Sequence, residues 1–136
     1  MKAHFRNVDL EIRSASKLNP ISTAMGTRVI VLYSGPLPQK RHFLALESST
    51  QFKGPEETID ALCDVVESMP PSARRIWDRS HRKFHVGYEL RSSELMSQFS
   101  LNSDILGRIS KLGATLAVTY YRGDTENTKK VSRASR

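Results

Sequence analysis

"RKFHVGYELRSSELMSQFSLNSDILGRISKLGATLAVTYY", residues 82–121, decides the fold. From Lys83 to Arg91 the side chains alternate. Phe84, Val86, Tyr88 and Leu90 fall on one side, and Lys83, His85, Gly87, Glu89 and Arg91 on the other, the period of a half-buried strand. Gly87 packs nothing, so it marks a bulge or a close approach. Beyond a polar connection, Asn102 or Ser103 caps a helix whose stripe is Ile105, Leu106, Ile109 and Leu112. Gly113 stands where a left-handed C-cap belongs, and the β-branched and aromatic "ATLAVTYY" follows as a strand. Strand, helix and strand at this spacing read as a crossover joining two parallel strands.

Towards the N-terminus, Val8, Leu10 and Ile12 alternate with polar residues as a second half-buried strand. "LNPISTAMGT" reads as a polar connection, and "RVIVLYS" at 28–34 as a central strand covered on both sides, because its apolar residues are consecutive. Gly35 and Pro36 predict a turn, with "HFLALES" returning as a hairpin partner. Pro55 opens a helix with Glu56 and Glu57 in its first turn and Ile59, Leu62, Cys63, Val66 and Met69 along one stripe, stopped by Pro70 and Pro71. Cys63 on that stripe is expected as a buried structural thiol, and Asp60, Asp64 and Glu67 as a solvated face. A shorter helix from Ser72 to about Ser80 places Trp77 in the core beside Ala73 and Ile76. The fold class is therefore α+β: a two-layer sandwich with a mainly antiparallel sheet of about five strands and two to three helices on one face. Residues 1–121 read as one domain and 122–136 as a basic, flexible C-terminal tail.

The net charge of +7 is localised. Residues 71–91 carry +4 and residues 122–136 carry +3, while the rest balances to zero. Such a field favours an anionic partner. The candidate partner-binding patch is Arg74, Arg75, Arg79, Arg82, Lys83, His85 and Arg91, with Lys129, Lys130, Arg133 and Arg136 in the tail. An ion pair of Asp78 with Arg74 or Arg82 at helical spacing takes up part of this charge.

Phosphate-binding glycine motifs, a nucleophile elbow and zinc-ligand spacing do not occur, so no cofactor, metal or catalytic residue is expected. His85 and Glu89 share a strand face as a conceivable acid–base pair. One cysteine, no secretory leader pattern and no long apolar segment lead to an expected cytoplasmic location without membrane attachment. The leading functional expectation is a non-enzymatic protein-binding module whose partner has an acidic surface. The alternative is a nucleic-acid binder using the 74–83 cluster and the tail.

The combination of Trp77 and Asp78, Phe84, Val86 and Gly87, Leu112, Gly113 and Ala114, and Thr119 and Tyr121, with "DLEIRS" near the start, resembles a family of small uncharacterised bacterial proteins. The resemblance implies a cytoplasmic α+β protein, and some relatives look like immunity proteins beside bacterial toxins, which act by occluding a partner. That family's strand carries an acidic residue where His85 stands here.

Overall fold

A computed structural model describes residues 4–90 and 98–122. The order is β1 (His4–Ser14), α1 (Asn19–Met25), a 3-10 turn (Gly26–Arg28), β2 (Val29–Leu37), β3 (Arg41–Ser48), α2 (Pro55–Glu67), α3 (Pro71–Asp78), β4 (His81–Leu90), α4 (Ser103–Lys111) and β5 (Thr115–Arg122). The sheet runs β2-β3-β1-β4-β5. All neighbours are antiparallel except β4 and β5, which are parallel and joined through α4. The expected α+β architecture and the 82–121 crossover are both present.

One sheet face is apolar and lies under the helices. Val8, Leu10 and Ile12 meet Leu44, Leu46, Phe84 and Val86 there, together with Ile59, Leu62 and Val66 of α2 and Trp77 of α3, all essentially inaccessible. Burying side chains of this size contributes roughly 1.5–3 kcal/mol each, which makes this layer the source of the fold's stability. Trp77 Nε1 also donates to the Leu112 carbonyl at 3.1 Å, tying α3 to the end of α4 and leaving no buried indole N–H unpaired. Gly113 follows at φ +69°, the left-handed conformation that glycine adopts without a Cβ penalty. Asn102 is the cap of α4, its Oδ1 accepting from Ile105 N at 2.9 Å.

Three expectations change. "LNPISTAMGT" is not a connection: Pro20 starts α1, which buries Ile21 and Met25 and packs on α3, so the helical layer has four members. Its short apolar content hid about two helical turns. "RVIVLYS" is not central but forms β2, an edge strand, because the far side of its partner β3 is taken by β1. Consecutive apolar residues do not tell a central strand from an edge strand, and here Ile30 to Tyr33 stay exposed. β2 also continues through Gly35 and Pro36, which an edge strand tolerates, and turns at Gln39 and Lys40 with φ of 63° and 58°. Arg91 and the tail residues Lys129, Lys130, Arg133 and Arg136 lie outside the described residues. No helix among the described residues is long and apolar enough to cross a membrane.

Candidate interaction surface on the open face and free edge

The basic cluster is divided by the fold. Arg74, Arg75 and Arg79 belong to the helical layer, with Arg75 and Arg79 exposed and Arg74 half-buried. Arg82 is committed to structure: Nη1 donates to the Trp77 carbonyl at 2.9 Å, its guanidinium carbon lies 5.7 Å from the Trp77 ring centroid, and Asp78 is 4.0 Å away. Lys83 and His85 face the opposite side of the sheet, because they alternate with buried Phe84 and Val86. The sequence-contiguous patch is thus two groups separated by the sheet.

On the open face, His85 does not pair with Glu89. Its Nδ1 meets Glu11 Oε2 at 3.3 Å, and its Nε2 meets the Thr119 hydroxyl, joining β1, β4 and β5. This order of hydroxyl, imidazole and carboxylate is that of an activated nucleophile with its base and orienter. Neither His85 nor Thr119 lines the concavity beside the turn from α4 into β5, and the three groups act as a polar stitch across the strands. Asp9 lies beside them, opposite both Glu47 and His85. Burial, then repulsion from Glu47 and Glu11, pushes its carboxyl up to about 6. Gly87 combines both features read for it: β1 carries a register shift between Phe5 and Asn7, and a Cβ on Gly87 would sit 2.8 Å from Asn7 Oδ1.

Asp60, Asp64 and Glu67 are not merely solvated. All three bind Arg108 of α4, at 2.6, 2.9 and 2.8 Å, clamping α4 to α2. No grouping of His, Cys, Asp and Glu able to hold a metal occurs among the described residues. Cys63 is buried, and burial pushes its thiol up to about 11, so it is a packing residue.

The feature missed in the sequence is the β2 edge. Ile30, Val31, Leu32 and Tyr33 are consecutive and 46–48 % exposed. Ile30 lies opposite Glu47 and Tyr33 opposite Ala45, on the open face, whereas Val31 lies opposite Leu46, on the helix side. Both faces of the strand are half-exposed from Ile30 to Tyr33, and Val29 at its start is the β2 residue buried in the core under the helices. Natural edge strands carry charges, prolines or bulges against further pairing. Here a register shift between Val31 and Tyr33 and Pro36 blunt the second half, and Val29 to Tyr33 carries no charge. Cations bracket the strip: Arg28 precedes it, and Lys40 and Arg41 follow its hairpin. Among the described residues none of these three has a carboxylate within 4.0 Å. Comparison with protein-family models, curated proteins and solved structures finds no match for this chain.

Proposed function

We propose that this protein is a binding module that docks a protein partner along the β2 edge and acts by occluding part of that partner, as an immunity-type inhibitor does. The observation that supports it is the uncharged, half-exposed run Ile30 to Tyr33 on an edge strand of the sheet. An extended segment of the partner adds to the edge, its backbone completing the ladder and its side chains covering the strip. Covering the remaining half of four such side chains is worth roughly 3–6 kcal/mol. Association costs about 4–15 kcal/mol, so the strip does not suffice alone. Backbone pairing and charge must supply the rest, and Arg28, Lys40 and Arg41 at its two ends, none with a carboxylate within 4.0 Å among the described residues, select a partner with carboxylates flanking an apolar middle. The net charge of +7 works against a second copy as occupant.

Capture from native-host lysate, with and without nuclease, separates this from nucleic-acid binding. An Ile30→Lys, Leu32→Lys variant is expected to lose a nuclease-resistant protein that an Arg75→Glu, Arg79→Glu variant retains, and the purified partner must rebind wild type alone. Retention of nucleic acid lost only in the arginine variant, with binding falling steeply as salt rises, overturns the proposal.

A further inference from the structure

Beside the turn from α4 into β5, a concavity of about 310 Å³ opens between Glu11, Arg13, Arg82, Lys83, Gly113 and Thr115. Antiparallel pairing places Arg13 opposite His81 and Glu11 opposite Lys83, so β1 brings a cation, its guanidinium carbon 4.7 Å from the Phe43 ring centroid, to a rim that the sequence shows only in part. Arg82 forms a fixed wall, its side chain 16 % exposed and held by the Trp77 carbonyl and ring. A Cβ on Gly113 would stand 2.8 Å from Arg82 Nη2, so this glycine also makes room for the guanidinium. Among the described residues no carboxylate lies within 4.0 Å of Arg13 or Lys83, and Glu11 turns Oε2 towards His85.

We propose that this concavity binds a phosphoryl group, the dianion of a phosphate monoester. Arg13, Arg82 and Lys83 outnumber Glu11 and Asp78, the latter 4.0 Å from Arg82, so the local charge is positive, as an anion requires. Donor geometry disfavours a simple carboxylate. Arg82 gives Nη1 to the Trp77 carbonyl and its Nε is buried, so the coplanar Nε and Nη2 pair that makes arginine–carboxylate bonds strong is closed to a ligand. Separate donors on β1 and β4, with the Thr115 hydroxyl on β5, suit a tetrahedral anion whose oxygens diverge. The volume is at the small end of ligand sites, roughly 300–1,000 Å³, enough for a phosphate with a short attached group. β3 separates this site from the β2 edge, and nothing in it depends on the docking strip.

The test is an amide NMR titration of the full chain with inorganic phosphate, O-phosphoserine and acetate at constant ionic strength. Saturable shifts centred on Lys83, Gly113 and Thr115 are expected with both phosphates and not with acetate. Lys83→Gln and Arg13→Gln, checked for wild-type spectral dispersion, should each weaken binding about tenfold or more, whereas Lys111→Gln should leave it unchanged. Tighter binding of O-phosphoserine than of phosphate identifies a phosphorylated side chain as the source, and equal binding a small phosphorylated metabolite. Unsaturable shifts spread over exposed cations, equal binding of acetate, or unaltered affinity in both site variants overturns the proposal.

Discussion

Replacing Asp9 with asparagine should stabilise this protein at neutral pH. Asp9 sits between Glu47 and His85, and burial followed by Glu47 and Glu11 raises its carboxyl from 3.8 to about 6, with His85 pulling the other way. Folding therefore favours the protonated carboxyl. Its stabilising contribution is complete below about 3.8 and is lost as pH rises through about 6. A difference of about two pH units corresponds to about 3 kcal/mol, and partial exposure of the site reduces the expected effect to about 1–2 kcal/mol. Asparagine keeps the oxygen that accepts from Asn7 Nδ2 at 2.9 Å and cannot ionise. Urea unfolding between about pH 3.5 and pH 8 measures the gap between variant and wild type. The two should be nearly equal at the acid end, and the variant should lead by about 1–2 kcal/mol above pH 7. A variant less stable than wild type at pH 7, or a gap that does not change with pH, would refute the reasoning.

Four further outcomes can be checked by denaturation or labelling. Arg108→Met leaves Asp60, Asp64 and Glu67 facing one another and should cost about 1–2 kcal/mol in urea at low salt, less at high salt because the remaining repulsion is screened. Trp77→Phe removes the donor to the Leu112 carbonyl together with buried ring area, and unfolding followed by circular dichroism should show a loss of about 2–4 kcal/mol. Gly113→Ala must hold φ +69° and displace Arg82, so a loss of more than about 1 kcal/mol is expected, against none for Gly107→Ala, where nothing lies within 4 Å and helix propensity improves. Cys63 should be inert to a thiol reagent in the native state and react at the rate of unfolding; rapid native labelling would contradict its burial.

The period-two strands, the capped helix ending at Gly113 and the core position of Trp77 were legible because each is a local pattern in which every residue serves one face. α1 was not legible, since seven residues with two buried side chains lie below the length at which helical periodicity appears. The β2 edge failed for a different reason: a run of consecutive apolar residues does not tell a central strand from an edge strand, a distinction set by strand order. The basic cluster was legible as composition only. Its division by the sheet and the diversion of Arg82 to Trp77 depend on how α3 packs beside β4, and the arrival of Arg13 opposite His81 depends on strand register, which pairs residues some 70 positions apart. The same holds for Glu11 reaching His85 and for three α2 carboxylates converging on Arg108.

The central claim is that a protein partner lies along β2, and site-specific photo-crosslinking tests it most directly. A photoreactive residue at Leu32, with Lys111 on α4 as the control position, is activated in native-host cells and the attached peptide is sequenced by mass spectrometry. The predicted result is an adduct at position 32, absent at 111, with one extended segment of another protein whose apolar residues are flanked by Asp or Glu. An adduct with a second copy of this chain, with nucleic acid, or with nothing would contradict it.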